Sequence, residues 1–266
     1  MDDKPVIELF IKVSPIGRED KGPCPISQQW FMVFYLLAEK KIVNLFVTTV
    51  NPDLPPEAYQ ALDVGKRLPV ARVIKGRDLK GTDLENLVCD TNDEIEQLMD
   101  VWRCPALALP KESPEEAAAE RCFADLYTGL NIFLKSGVDT KLRTSLFKIN
   151  SYLAERPDVQ YLIGQELSYA DCQLMPKLHH ARIAAKAYRN YDIPSPDLRF
   201  LQQYMERMYK TAAFVDSCPA DRDIVQHYFD KLDPPSRQHL PVKPSLMRAT
   251  CTLSLDDINP EIAGRK

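Results

Sequence analysis

Cys24 stands in the run Gly22-Pro23-Cys24-Pro25-Ile26-Ser27, directly ahead of an apolar stretch over residues 30–38. Pro25 suits the first turn of a helix, where its missing N–H costs nothing, so Cys24 falls at the helix N-terminus. That position supplies free backbone N–H groups and the positive end of the helix dipole, and both favour a thiolate. Lys12, near the end of the preceding strand-like segment, adds positive charge if the loop folds back. Ser27 occupies the place of a second cysteine in a CxxC pair, which excludes a dithiol cycle at this site. One-thiol chemistry through a mixed disulfide remains, with glutathione as its natural partner. The bland alternative is a buried, inert cysteine, the state of most free cysteines in folded proteins.

Two further groups would complete such a site. Leu68-Pro69 precedes the strand-like run that opens at Val70. A proline there is commonly a trans turn residue, whereas a cis bond would aim backbone N–H and C=O groups at the thiol. Asp90-Thr91 opens a helix and reads first as an N-cap. The same N-terminus can hold a carboxylate, such as the γ-glutamyl end of glutathione. The reading is therefore Cys24 as nucleophile, with Lys12, Leu68, Pro69, Val70, Asp90 and Thr91 around glutathione. His179-His180 has no neighbouring ligand cluster, and the cysteines at 24, 89, 104, 122, 172, 218 and 251 form no CxxC pair. Packing is the better account of both histidines, and no metal site is expected.

The elements that must position these residues follow from periodicity. Residues 6–13 alternate and are rich in Val, Ile and Phe, as in a strand. A loop with Pro15, Gly17, Gly22 and Pro23 leads to a helix from Pro25 to about Lys40. Strands are expected at 45–50, 70–74 and 87–89, a weak helix at 55–63, and a helix from Asp90-Thr91-Asn92 to about Val101. One sheet covered by helices results. Residues 102–112, with Pro105 and Pro110, read as a linker. Beyond it only helical periods occur: 113–133, opened by Ser113-Pro114-Glu115-Glu116, then 139–154, 168–188, 197–209 and 221–231. Pro176 falls inside the third of these and is expected to kink it. The expected fold is an α/β thioredoxin-like domain over residues 1–101, a linker over 102–112, and an all-α domain over 113–232. Residues 233–266 contain Pro234, Pro235, Pro241, Pro244 and Pro260, have little periodicity, and read as a mobile tail.

The chain has 266 residues, is 45% hydrophobic and 27% charged, and carries a net charge of −4. That length and apolar content support a sizeable core. The mild acidity argues against nucleic acid as a partner, which would call for concentrated Lys and Arg. The seven scattered cysteines fit reduced thiols in the cytosol better than a disulfide framework. Met1-Asp2-Asp3-Lys4 has no secretory signal character. The stretch at 30–38 is too short to span a bilayer, which takes ~20 residues. Extending it brings in Glu39, Lys40 and Lys41, and each Lys near a span centre costs roughly 2.5–3.5 kcal/mol. A core helix is the reading that physics favours.

These residues resemble the chloride intracellular channels, which share the fold of omega-class glutathione transferases. The resemblance runs from about Val6 to Leu232. It is carried by Cys24-Pro25-Ile26-Ser27-Gln28, Phe31-Met32-Val33, Val47-Thr48-Thr49-Val50, Leu68-Pro69, and Asp90-Thr91 with Ile95-Glu96. In the second half Ala170-Asp171-Cys172-Gln173-Leu174-Met175-Pro176-Lys177-Leu178-His179 resembles the family closely. Ala212-Ala213-Phe214 and Ser217-Cys218-Pro219-Ala220-Asp221 resemble invertebrate members in particular.

The resemblance implies a thioredoxin-like domain with cis-Pro69 and an all-helical second domain. It further implies a cytoplasmic protein, monomeric when soluble, that associates conditionally with membrane lipid, conducts chloride and oligomerises there. The inserted segment maps onto about residues 25–47. Gln29 replaces a basic residue of vertebrate relatives, Asp63 replaces a cysteine of some relatives, and Lys186-Ala187-Tyr188-Arg189 is a reduced basic run. Two other functions remain open beside anion conduction: a glutathione-dependent monothiol oxidoreductase using Cys24, and a non-catalytic scaffold with residues 233–266 as a ligand.

Overall fold

A computed structural model of the chain describes residues 4–18, 20–238, 240 and 242–256. The first domain holds strand β1 (Val6–Lys12), helix α1 (Pro25–Glu39), strand β2 (Asn44–Val50), the single turn α2 (Glu57–Gln60), strands β3 (Val70–Lys75) and β4 (Val88–Cys89), and helix α3 (Asn92–Val101). The sheet order is β2-β1-β3-β4. β1 runs parallel to β2, with Leu9 opposite Val47, and antiparallel to β3, with Leu9 also opposite Ala71. β3 and β4 pair antiparallel. β1 lies inside the sheet with Ile7, Leu9, Phe10 and Ile11 all buried, so both of its faces are covered over 9–11.

The second domain is helical: α4 (Pro114–Phe123), α5 (Leu126–Ser136), α6 (Thr140–Ala154), α7 (Tyr169–Arg189), α8 (Arg199–Met208), α9 (Ala212–Ser217) and α10 (Asp221–Phe229). One continuous helix was expected over 113–133, but it is divided at Ala124-Asp125 into α4 and α5. Neither residue is a helix breaker, and the division serves packing. Gly129 in α5 lies so close to α6 that a Cβ there would meet Leu142 Cα at 2.9 Å. Pro176 lies inside α7, which stays helical from Tyr169 to Arg189.

α1 is the joint between the domains and packs on α7 and α9 as well as on the sheet. Trp30, Met32, Val33, Phe34 and Leu37 are all buried. Trp30 also donates its Nε1–H to Asn92 Oδ1 of α3 at 2.9 Å, and its ring lies 5.8 Å from that of Tyr169 at the start of α7. The core-helix reading of residues 30–38 is therefore how this fold uses them. No helix among the described residues is long and apolar enough to cross a membrane.

The proline-rich segment after Leu232 departs from the mobile tail expected of it. Its described part forms two short 3-10 turns, Pro235–Arg237 and Pro244–Leu246, and then crosses the helical domain as a strap. Arg182 of α7 donates Nη1–H to Thr252 O at 2.8 Å and Nη2–H to Ser254 O. Asp221 accepts from Thr252 Oγ1–H at 2.5 Å and gives its own N–H to Thr250 O at 2.7 Å. Leu255 is buried. Polar anchors supplied by α7 and α10 fix a segment whose own composition carries no helical or strand period. Residues 257–266 of the expected tail lie outside the described residues.

Candidate functional site

The loop that delivers Cys24 is folded by local constraints. Gly22 N–H donates to Lys12 O at 2.7 Å, and a Cβ on Gly22 would sit 2.5 Å from both Lys12 O and Val13 O. Only glycine permits this return of the loop onto the end of β1. Ser14 Oγ accepts from the N–H groups of Ile16 and Gly17 and donates to Asp223 Oδ1 of α10 at 2.5 Å. Lys21 Nζ donates to Asp216 O of α9 at 2.7 Å. The loop is thus braced by the helical domain on both sides of its turn.

Cys24 is the N-cap residue of α1, in extended conformation, with Pro25 following it. Its thiol is partly exposed and unpaired with any other cysteine. No side chain caps the first turn of α1. Ser27 is buried, and its hydroxyl has no hydrogen-bond partner among the described residues. The neighbouring Gln29 donates Nε2–H to Tyr169 OH at 3.1 Å, so its amide serves the domain interface.

Facing this end of α1 are groups from α5 and α10 that sequence reasoning did not single out. Burial holds the Lys231 ammonium below the ordinary lysine range, while a charge on Cys24 raises it and Lys12 lowers it. Burial likewise pushes His227 down to about 4, helped by the positive charges of Lys231 and Lys12, so its imidazole is neutral near pH 7. Lys231 Nζ donates to His227 Nε2 at 2.7 Å, and Tyr127 OH lies 3.4 Å from the same nitrogen. The Tyr127 phenol is raised chiefly by burial, and a charge on Cys24 adds to this. Lys231 thus feels the charges of both Cys24 and Lys12, which puts the three groups in one electrostatic neighbourhood. The His227–Lys231 spacing of four was legible as a helix-face pair, but nothing local joined it to Cys24.

The other expected residues form a second group. Leu68-Pro69 is a cis peptide bond. Pro69 and Val70 are buried at the start of β3, and Leu68 is half-buried. Arg67, just ahead of them, reaches Asp90 Oδ2 at 2.7 Å and so ties this turn to the start of α3. Thr91 is the N-cap of α3: its Oγ1 accepts from Glu94 N–H at 3.3 Å. Glu94 returns its carboxylate to the N–H groups of Asp90 at 2.9 Å and Thr91 at 3.2 Å. These bonds pull the Glu94 carboxyl below the ordinary range. The N-cap reading of Asp90-Thr91 holds, and the chain's own carboxylate already occupies the N–H groups there.

His179 and His180 are fully buried in the core of the helical domain, against Tyr209 and Tyr228 respectively. Burial pushes His179 down to about 3. No cluster of metal-ligating residues occurs among the described residues. A surface cavity of about 800 Å³ between α4 and α6, lined by Arg121, Cys122, Arg143 and Phe147 among others, shares no residue with the Cys24 group.

A four-stranded sheet with a cis-proline before β3, joined through α1 to an all-helical domain, is the glutathione transferase fold with a thioredoxin-like first domain. Three solved structures are similar to it. The crystal structure of the CLIC homologue EXC-4 from Caenorhabditis elegans matches with a TM-score of 0.77 and 28% identity over 98% of this chain and 97% of that one. A dehydroascorbate reductase from Chlamydomonas reinhardtii matches with a TM-score of 0.65 and 19% identity, over 85% and 98%. Glutathione transferase Omega 2C from Trametes versicolor matches with a TM-score of 0.57 and 15% identity, over 85% and 99%. The last two are alike in fold alone.

Residues 5–99 match the family model described as a CLIC-like N-terminal domain. A chloride intracellular channel of Drosophila melanogaster is 35% identical over 230 residues, which span 85% of this chain and 82% of that protein. The chain belongs to the chloride intracellular channel family.

Proposed function

We propose that this protein associates conditionally with lipid bilayers and conducts chloride there; its relatives in Drosophila and Caenorhabditis are named chloride intracellular channels. The observation that carries this is the 35% identity to the Drosophila chloride intracellular channel across 85% of the chain. On this reading the described fold is the form the protein takes away from the membrane, which we take to be cytoplasmic and monomeric. No described helix is long and apolar enough to cross a bilayer; this reading therefore includes a rearrangement, which we place around residues 25–47, and assembly of several copies in the membrane.

The cost of that rearrangement can be bounded. Withdrawing α1 exposes Trp30, Met32, Val33, Phe34, Leu36 and Leu37, all now buried. At roughly 1.5–3 kcal/mol for each such side chain, the cost is on the order of 10 kcal/mol. This matches the whole stability of an ordinary domain, roughly 5–15 kcal/mol. Lipid contact must offset it, so binding is conditional on a trigger that loosens the interface. The test is flotation of the purified chain with anionic liposomes, paired with chloride flux, across pH and redox conditions. Binding and flux that arise together are expected. Absence of both under every condition overturns the reading.

A second reading, glutathione-linked chemistry at Cys24, is favoured by the geometry at the head of α1. The residues fit a thiol ligand: a partly exposed Cys24, first-turn N–H groups with no side-chain acceptor, and the unpartnered Ser27 hydroxyl. Lys12 and Lys231 supply positive charge, Tyr127 a phenol, and Val70 backbone groups behind cis-Pro69. The Asp90-Thr91 turn is available to a glutathione carboxylate only by sharing N–H groups with Glu94. When bound, glutathione supplies a second thiol for thiol–disulfide exchange. Ser27 cannot resolve such an exchange, so a second glutathione must do so.

A further inference from the structure

Two of the cysteines lie side by side, far from Cys24 in sequence. Cys218 is the buried residue that ends α9, and Cys251 is an exposed residue of the C-terminal strap. Each donates its thiol hydrogen to the same acceptor, Pro219 O, with each sulfur 3.4 Å from that oxygen. The two sulfurs thus converge on one carbonyl oxygen, close enough for each thiol to perturb the ionisation of the other.

This contact is built. Thr250 accepts the Asp221 N–H at 2.7 Å, and Thr252 gives its N–H and hydroxyl to the Asp221 carboxylate at 3.1 and 2.5 Å. Arg182 holds Thr252 O and Ser254 O. Cys251 is therefore fixed on both sides along the backbone, with its thiol beside that of Cys218. On the other partner, Cys218 is fixed by its place between α9 and α10. Bridging two cysteines demands close, correctly aimed Cβ atoms, and the shared acceptor Pro219 O brings both side chains to one point.

We propose that Cys218 and Cys251 form a reversible disulfide, closed by a peroxide, that staples the C-terminal strap to the junction of α9 and α10. Cys251 is the attacking residue because it is the exposed one. Its thiol is drawn below the ordinary range by the neighbouring Cys218 thiol, whereas Cys218 is raised by the Cys251 thiol and by burial. The Cys251 sulfur attacks one peroxide oxygen, the O–O bond breaks, and the departing oxygen leaves as water, so that Cys251 becomes a sulfenic acid. The Cys218 sulfur then attacks the Cys251 sulfur, the S–O bond breaks, and the hydroxide takes up the Cys218 proton to leave as a second water. Two thiols lose two electrons and one peroxide gains them. A dithiol reductant reverses the change.

Closed, the bridge makes the strap a covalent part of the helical domain. Open, the strap is held without a covalent bond, by Asp221, Arg182 and the burial of Leu255. The link is independent of Cys24 and of the membrane reading.

The experiment treats the full chain with hydrogen peroxide, then maps peptides without reduction and follows thermal unfolding. The expected result is a linked peptide pair containing Cys218 and Cys251, with Tm raised by roughly 5 °C. Dithiothreitol restores the original Tm, and Cys251→Ser, a change at an exposed position, removes both the linked pair and the shift. The inference is overturned if Cys251 proceeds to sulfinic acid or links to another chain while Cys218 remains a free thiol.

Discussion

Two helix N-termini meet at the domain interface and treat their first-turn N–H groups in opposite ways. At α7 each is spoken for. Ser168 Oγ accepts from Asp171 N–H at 3.3 Å, and the Asp171 carboxylate takes the Ser168 N–H at 2.8 Å and hydroxyl at 2.7 Å. Glu116 of α4 accepts from the N–H groups of Tyr169 at 3.2 Å and Ala170 at 2.9 Å. Asp171 also accepts from Leu162 N–H at 3.1 Å and Tyr204 OH at 2.8 Å. At α1 the capping residue is a cysteine, the next is a proline, the first turn has no side-chain cap, and the Ser27 hydroxyl is unpartnered. The same backbone dipole secures the fold in one place and is left free for an anionic ligand or thiolate in the other. Gln29 donating to Tyr169 OH joins the two ends, so the closed one positions the open one.

The comparison is broken most forcefully at Asp171. Replacing it with Ala strands several buried donors at once, each worth about 1–3 kcal/mol when left unmade. Asp171→Ala is expected to lower stability by about 3 kcal/mol or more, read as a lower urea midpoint with unchanged slope.

A smaller effect comes from Glu116. Burial raises its carboxyl to about 7, with the Asp171 charge adding and the Ala170 and Tyr169 N–H groups opposing. A raised carboxyl favours the protonated folded state. Its contribution is fully present below the unfolded value of 4.5 and is lost as pH rises through about 7. Stability should therefore fall across that window, and Glu116→Gln should flatten the fall; an equal slope in the variant would assign it elsewhere.

What was legible in the sequence divides along the same line. The starts of α1, α3 and α7 could be read because their chemistry is local: Pro25 after Cys24, Thr91 with Glu94, Ser168 with Asp171. So could the strands and the central burial of residues 30–38, from period and length. The division of residues 113–133 could not, because Ala124-Asp125 is compatible with helix and the close pass of Gly129 against Leu142 is a tertiary fact. Nor could the strap, whose prolines read as unstructured while its anchors lie in α7 and α10. At the site, Cys24 and Lys12 could be picked out from the residues around them, whereas cis-Pro69 comes only with the family resemblance, since Leu68-Pro69 alone reads equally as a trans turn. Tyr127, His227 and Lys231 could not, since only the packing of α5 and α10 brings them to the thiol.

Cys24 is the smallest structural perturbation and the most direct chemical one. Because the Cys24 side chain makes no capping hydrogen bond, Cys24→Ser should not lower stability, and a serine cap can add up to about 1 kcal/mol. The decisive measurement is peptide-resolved mass spectrometry of the folded chain after exposure to glutathione disulfide. The expected result is a glutathione adduct on Cys24, released by dithiothreitol and absent from that site in Cys24→Ser. A Cys24 thiol that stays unmodified in the folded chain would contradict the claim that the open end of α1 is a working site.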